Sequence, residues 1–199
     1  MDIDDIKRIN SLWSKIYPYL VSHIMESYRR MSGSVLELGP FSGGISFELS
    51  RLYGDLDITI ADEMPGILEH FSREIETRGL SERIAVNKTD LNRLAFDDSQ
   101  FDLVIFRGVF FFLDDKKDLL REIYRVLKDG GMAFAGGGYG KGIPQELIDE
   151  IAEESRELND RLGRRRFSIK ELEEIIERSQ LDNVCRIEEE GGVWIVIEK

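Results

Sequence analysis

The sequence predicts an α/β fold built on a mostly parallel sheet. Short runs rich in apolar and β-branched residues alternate with segments whose apolar residues recur at helical spacing. The runs cover residues 35–38, 56–61, 84–88, 101–106 and 132–135. Strands that alternate with helices in this way pair in parallel through right-handed crossovers. Two further strands around Gly191-Gly192 predict an antiparallel hairpin at the end of the chain.

The composition is typical of a single globular domain over residues 1–199. Apolar residues make up 42% of the chain and charged residues 33%, which argues against disorder. A net charge of −12 argues against DNA as a partner, because gripping a phosphate backbone requires clustered Lys and Arg. The single Cys185 cannot form an intrachain disulfide, and no apolar run approaches the roughly 18 residues of a membrane span. The start of the chain lacks the apolar region of a signal peptide, so a cytoplasmic location is expected.

Residues 1–31 are predicted to form two helices. Isoleucines and leucines recur every three or four positions, and Pro18 places a break near Tyr17. The helices could lie over a ligand site as a lid, or they could cover one edge of the sheet. In the first case Trp13, Tyr17 and His23 would belong to a pocket, and in the second they would be packing residues.

The stretch from Val35 to Leu49 predicts a strand, a glycine turn and the start of a helix over 43–53. Gly39 ends the strand, Gly43-Gly44 allows a sharp turn, and Ser42 is a candidate helix cap. Such a turn presents free backbone N–H groups at the positive end of the helix dipole. A nucleotide-like ligand with a carboxylate would suit this site.

Polar residues follow the next strands. Asp62 ends the second strand, 19 positions after Gly43, where a carboxylate can accept both hydroxyls of a ribose. Asp90 follows the third strand. Arg107 ends the fourth, where it could bind a carboxylate or form a structural ion pair. After it come three phenylalanines, residues 110–112, of which at least one should face the site or a lid.

Several later segments give local predictions. The sequence VLKDGG, residues 126–131, predicts a turn before the fifth strand, and the glycines of 136–140 suggest either a close backbone approach to a ligand or a hinge. Helices are predicted over 144–162 and 169–180, the second with a capping box from Ser168 to Glu171. Between them lies the basic cluster RLGRRR, residues 161–166, which is either an anion or partner site or a solvated helix end.

These motifs in this order resemble class I S-adenosylmethionine-dependent methyltransferases, in the small-molecule, ubiquinone/menaquinone-biosynthesis-like branch. That family carries an acidic-x-Gly-x-Gly-x-Gly motif, and here Phe41 replaces its middle glycine. The resemblance covers about residues 33–199 and implies a Rossmann-like, seven-stranded, mostly parallel sheet with an antiparallel C-terminal hairpin and helices on both faces, preceded by a helical N-terminal lid.

The resemblance also implies a cofactor site. The acidic residue of the motif would lie near the ammonium group of S-adenosyl-L-methionine, and the glycine turn would pass under its methionine part. Asp62 would bind the ribose, and Asp90 with its neighbour would bind the adenine. The implied cofactor-binding residues are Glu37, Gly39, Pro40, Phe41, Gly43, Asp62, Glu63, Met64, Asp90, Leu91 and Arg107.

The expected function is methyl transfer to a small molecule. Because the cofactor carries an activated methyl group, neither a metal nor a nucleophile triad is required, and none is predicted. Tyr17, His23 and Tyr139 are candidate bases, with no choice among them. The candidate acceptor-side residues are Tyr17, Phe110, Tyr139 and Arg166. Two alternatives stay open: a cofactor-binding protein without turnover, and an RNA or protein methyltransferase that docks through residues 164–166. The oligomeric state is not predicted.

Overall fold

A computed structural model describes residues 1–114 and 118–199 of the chain. Its centre is a seven-stranded sheet with the order β3-β2-β1-β4-β5-β7-β6. The strands are β1 (Ser32–Leu38), β2 (Asp55–Asp62), β3 (Ile84–Lys88), β4 (Phe101–Arg107), β5 (Leu127–Gly138), β6 (Cys185–Glu188) and β7 (Gly192–Glu198). β1 to β5 pair in parallel, whereas β7 is antiparallel to both β5 and β6. The predicted fold class and the closing hairpin are confirmed.

Helices cover both faces of this sheet. They are α1 (Ile3–Leu12), α2 (Tyr17–Tyr28), α3 (Gly44–Leu52), α4 (Pro65–Thr77), α5 (Leu119–Val126), α6 (Gln145–Arg161) and α7 (Ile169–Arg178). The break between α1 and α2 is a short 3₁₀ turn, Trp13–Lys15. The capping box at α7 is present, with the Ser168 and Glu171 side chains each accepting the other's backbone N–H. Within the described residues, no helix is long and apolar enough to cross a membrane.

Two apolar cores lie on opposite faces of the sheet, because alternate residues of each strand point to opposite sides. On β4, Leu103 and Ile105 join the core beneath α1 to α4 and α6, whereas Val104 and Phe106 join the core beneath α5 and α7. Both cores consist of buried side chains with partly buried ones packed against them. The ends of the strands between the two cores carry the predicted site.

The carboxyl ends of the parallel strands meet at one edge of the sheet. Backbone hydrogen bonds continue past the strands there, from Gly39 to Ala61 at 2.9 Å and from Thr89 to Asp62 at 3.0 Å. The strand order reverses between β1 and β4, and ligands of open α/β sheets bind at such a reversal. The loops after β1, β2, β3 and β4 thus all lie at the same edge of the sheet.

One local prediction was wrong. The turn predicted over residues 126–131 is not formed as such, because residues 127–131 are part of β5. Leu127 pairs with Phe101, and the register shifts before Met132 pairs with Leu103. This longer strand is held by the C-terminus, since Gly130 N–H donates to the Lys199 carbonyl at 2.6 Å. The glycines at 136 and 138 lie inside the same strand. Their missing Cβ atoms make room for β7: a Cβ on Gly136 would lie 2.2 Å from the Val193 carbonyl oxygen.

Candidate active site

The glycine turn after β1 is shaped by the carboxylate of Glu37. This side chain is fully buried, and its Oε2 accepts hydrogen bonds from the Gly43 N–H at 3.0 Å, the Ser46 N–H at 3.0 Å and the Ser46 hydroxyl at 2.5 Å. Glu37 therefore takes the capping role predicted for Ser42, whose side chain makes no cap bond to α3. Burial raises the pKa of Glu37, while its hydrogen bonds to Ser46 and Gly43 oppose that rise. Its Oε1 is buried and has no hydrogen bond within the described residues.

Close packing fixes the path of this turn. Gly39 has a φ of +90°, and a Cβ there would lie 2.5 Å from the Phe106 ring. Phe41 is buried and stacks on Phe111 with ring centroids 4.8 Å apart. The same ring lies so close to Gly108 that a Cβ on that residue would approach it to 2.5 Å. Phe41 thus joins the β1 turn to the segment after β4, and Pro40 beside it is buried as well.

Asp62 lies at the end of β2 with no exposed surface. Its Oδ1 accepts the Met64 N–H at 2.7 Å, and its Oδ2 is buried with no hydrogen bond within the described residues. Burial raises the pKa of Asp62 to about 6. The backbone of Met64 therefore orients this carboxylate, while the neighbouring Glu63 is exposed to solvent.

The loop after β3 places its two predicted residues differently. The Asp90 side chain is exposed and accepts hydrogen bonds from the backbone and side-chain nitrogens of Asn92, both at 2.8 Å. Leu91 is buried in the core beneath α5 and α7. The Asp90 carboxylate is thus held by Asn92 in an exposed turn after β3.

Arg107 ends β4 almost fully buried, with 4% of its surface exposed. Its Nη2 donates to the Asn10 side-chain oxygen at 2.6 Å, the Phe41 carbonyl at 2.9 Å and the Tyr17 hydroxyl at 3.2 Å. The guanidinium carbon lies 4.7 Å from the centroid of the Trp13 ring, a cation–π contact. All three acceptors are neutral, so the structural ion pair given as the alternative is not formed within the described residues. Arg107 ties the N-terminal segment to the sheet.

A cavity of about 320 Å³ opens beside Arg107. Aromatic rings form one part of its wall, with Trp13 and Tyr139 stacked at a centroid distance of 5.2 Å. Helix α6 closes another part, and its Ser155 accepts the Trp13 indole N–H at 3.0 Å. The remaining lining includes Phe41, Gly108, Phe110, Gly137, Asn159, Asp160 and four arginines, residues 107, 156, 164 and 166.

Three of the four predicted acceptor-side residues line this cavity: Phe110, Tyr139 and Arg166. Tyr17 lies on the other side of Arg107, in a groove with Asn10 and Ser42, with its ring packed on Gly44. His23 is buried under the sheet, where its Nε2 is 3.2 Å from a Glu188 carboxylate oxygen.

The residues from α6 were missed by the sequence predictions. Ser155, Arg156 and Asn159 come from a helix whose pattern shows only an amphipathic surface. Nothing local marks them, because Trp13, the partner of Ser155, is 142 positions away. No group of three or more His, Cys, Asp or Glu side chains in the described part of the chain is placed to hold a metal ion.

The residues at this edge fit the cofactor implied by the sequence. Glu37 Oε1 and Asp62 Oδ2 are both buried acceptors without a hydrogen bond within the described residues. An ammonium group and ribose hydroxyls are donors and would satisfy them. Leaving such oxygens unmatched in the protein interior costs free energy, so both are suited to a ligand.

Comparison with known proteins supports the same reading. A family model described as a methyltransferase domain matches residues 35–131. The ubiquinone/menaquinone biosynthesis C-methyltransferase UbiE of Desulfotalea psychrophila is 32% identical over 100 residues, which are 50% of this chain and 39% of that protein. The chain thus matches about two fifths of the length of this relative.

Solved structures agree over the full chain. A crystal structure from Methanococcus maripaludis, assigned as an S-adenosyl-L-methionine-dependent methyltransferase, has a TM-score of 0.83 and 26% identity, covering 100% of this chain and 93% of its own. A SAM-dependent methyltransferase from Aquifex aeolicus has the same fold, with a TM-score of 0.69, 20% identity and 99% of both chains covered.

The fold, the strand-end site and these comparisons together support a class I S-adenosylmethionine-dependent methyltransferase. The curated sequence relatives named here are UbiE proteins, which supports the UbiE-like branch of that class. The family recognised in the sequence and the cofactor implied by it are thereby confirmed.

Proposed function

We propose that the chain transfers the methyl group of S-adenosyl-L-methionine to a small molecule held in the cavity beside Arg107. The observation that carries this proposal is a pair of buried carboxylates near the ends of the adjacent strands β1 and β2. One oxygen of each, Glu37 Oε1 and Asp62 Oδ2, has no hydrogen-bond partner in the described residues. The cavity begins where this edge ends, since Phe41 and Gly108 belong to both.

Each strand-end residue has a distinct task in this proposal. Glu37 orients the N–H groups of the glycine turn through Oε2 and accepts the cofactor's ammonium group at Oε1. Asp62 accepts ribose hydroxyls at Oδ2 while the Met64 N–H holds its other oxygen. Asp90 and Leu91 provide the adenine end, and Gly39 and Gly43 let the backbone approach the methionine part. The bound cofactor supplies an electrophilic methyl group on a sulfonium.

The N-terminal helices would act as a lid over the acceptor. Helix α1 contacts α6 through Arg8 and Glu154, whose charged atoms are 2.6 Å apart, and Trp13 bonds to Ser155. These contacts join α1 to α6 beside the cavity. A lid of this kind would hold the acceptor atom in line with the methyl group and exclude water, which are the main contributions a protein makes to this reaction.

The tyrosines near the site are donors rather than bases. Burial raises the pKa of Tyr139 and of Tyr17 above that of an ordinary phenol, so both hydroxyls stay protonated at neutral pH. Tyr139 can thus donate a hydrogen bond into the cavity. The acceptor must then be nucleophilic without help from these two side chains.

Calorimetry with S-adenosyl-L-methionine and S-adenosylhomocysteine tests the cofactor site. Asp62→Ala removes the two charge-assisted hydrogen bonds to the ribose and should weaken binding by roughly 100-fold. The matched control is Asp57→Ala, an exposed acid on the same strand, which should bind as the unmodified chain does. Equal affinities for both variants would contradict the placement of the ribose at Asp62.

Turnover is tested by S-adenosylhomocysteine formation across a panel of small acceptors. Product formed with at least one small acceptor supports the proposal. Tight cofactor binding with no product across the panel would favour a protein that binds the cofactor without turnover. Salt-sensitive RNA binding that disappears when Arg164, Arg165 and Arg166 become alanine would favour a macromolecular acceptor instead.

A further inference from the structure

The acceptor cavity is positively charged in a strongly acidic chain. Among the residues that the structure describes, four arginines and a single aspartate line it, whereas the chain as a whole carries a net charge of −12. The cavity lining thus has a charge opposite to that of the whole chain. Because charged clefts concentrate the field of their lining groups, this cavity favours a ligand of negative charge.

In the described part of the chain, one of these four arginines forms an ion pair with a carboxylate. Arg166 and Asp160 form a bidentate pair, with both oxygens 2.8 Å from Nη2. The side chains of Arg156 and Arg164 have no hydrogen bond or ion pair within the described residues, and both residues are exposed to solvent. Arg107 is buried, bonds only to neutral oxygens, and its Nε has no hydrogen bond within the same residues. Within the described residues, the Arg156 and Arg164 side chains therefore have no direct anionic partner, whereas Arg107 interacts electrostatically with the buried Glu37 carboxylate.

The cationic side chains are interleaved with flat aromatic surfaces. The Arg164 guanidinium lies 5.7 Å from the centroid of Phe110, and the Trp13 and Tyr139 rings stack with an interplanar angle of 17°. Partial burial lowers the pKa of Arg164, and the nearby Tyr139 opposes that change. A guanidinium that has lost hydration gains most from an anionic partner with two oxygens.

On the assumption that the proposed function holds, we propose that the acceptor is a small aromatic carboxylate. Its ring lies among Trp13, Phe110 and Tyr139, and its carboxylate pairs with Arg164 and Arg156. Arg107 adds positive potential from the sheet side of the same cavity. A volume of about 320 Å³ suits a ligand of one or two rings.

A carboxylate acceptor differs from the acceptor that the names of the UbiE relatives indicate. Those proteins are C-methyltransferases of ubiquinone and menaquinone biosynthesis. A quinone nucleus carries no charge that three arginines would recognise. The charge of the cavity thus distinguishes the acceptor class of this chain from one inferred by name alone.

Binding of matched acid and amide probes tests the inference without turnover. One- and two-ring aromatic carboxylates, including indole-3-carboxylate, are titrated beside their carboxamides with saturating S-adenosylhomocysteine present. A charge-assisted pair should make the best acid bind about 10- to 100-fold more tightly than its amide. Arg164→Met and the Arg156→Met/Arg164→Met double variant should remove this preference.

Arg161→Met is the matched control, because Arg161 is in the same cluster but pairs with Asp5 at 3.4 Å, outside the cavity lining. It should keep the full preference for acids. A panel in which no carboxylate binds more tightly than its amide would overturn the inference, as would a preference that survives in the double variant. S-adenosylhomocysteine calorimetry on the same samples separates the two proposals. Cofactor binding without acid preference overturns only this inference. Acid preference without cofactor binding overturns the proposed function, and with it the role of the bound acid as methyl acceptor.

Discussion

Asp62→Asn should make the cofactor-free protein more stable while weakening cofactor binding. Burial raises the pKa of Asp62 from 3.8 to about 6, which means that the folded protein holds this carboxylate in its charged form at a cost. The difference corresponds to about 3 kcal/mol at neutral pH. In a chain of 199 residues that is roughly 6–12 °C in melting temperature. This is an upper limit, because the buried amide of asparagine also loses hydration.

The pH dependence gives the sign of the effect. Since the folded pKa is above the unfolded value, the stabilisation from protonating Asp62 is fully present below about 4 and is lost as the pH rises through about 6. The unmodified chain should therefore gain stability relative to Asp62→Asn as the pH falls from 7.5 to 4. Urea unfolding of both cofactor-free proteins across this range measures the difference.

Two outcomes would refute this reasoning. A constant difference in unfolding free energy between the two proteins from pH 7.5 to 4 would show that the Asp62 carboxylate is not destabilised in the fold. A variant less stable than the unmodified chain at pH 7.5 would show that the charged carboxylate is satisfied by partners already in the protein. Asp57→Asn serves as the control, because this exposed residue of β2 should leave the pH profile unchanged.

Three further predictions concern the turn and the sheet. Gly39→Ala should lower the unfolding free energy by roughly 1–3 kcal/mol, since its φ is +90° and a Cβ would meet an aromatic ring at 2.5 Å; Gly54→Ala, with nothing within 4 Å, should change it by less than about 1 kcal/mol in urea unfolding. Gly136→Ala should melt at a lower temperature than Gly137→Ala. A Cβ on residue 136 would lie 2.2 Å from the backbone of β7, whereas a Cβ on residue 137 would have no neighbour closer than 3.8 Å. Similar melting temperatures for the two variants would contradict the strand register. Glu37→Gln should preserve the fold, because the side-chain amide oxygen can still accept hydrogen bonds from the N–H groups of the turn. It should weaken S-adenosylhomocysteine binding by roughly tenfold or more in calorimetry, because glutamine no longer offers a charged oxygen to the ammonium group. Unchanged affinity would show that Glu37 is not part of the cofactor site.

Local signals in the sequence predicted most of the sheet. The third strand was predicted at its observed bounds, 84–88, and the capping box before α7 was identified from four consecutive residues. These features depend on residue type and spacing over a few positions, which a sequence displays directly. The glycines and acidic residues at the strand ends could also be predicted from the sequence, because each of them directly follows a strand that the local pattern indicates.

Other features depend on distant contacts and could not be predicted. The extension of β5 requires Lys199 to pair with Gly130 and Gly131. The neutral surroundings of Arg107 come from Asn10 and from the Phe41 backbone, 97 and 66 positions away. Glu37 replaces Ser42 at the start of α3 because the strand and the helix fold back on each other, a relation that the local pattern does not encode.

A crystal structure of the chain with S-adenosylhomocysteine bound would test the central claim most directly. The account predicts ribose hydroxyls within hydrogen-bond distance of the Asp62 carboxylate, the amino group beside Glu37, and the sulfur facing the cavity lined by Trp13, Tyr139 and Arg164. A ligand bound away from the ends of β1 and β2, or a sulfur facing away from that cavity, would contradict it.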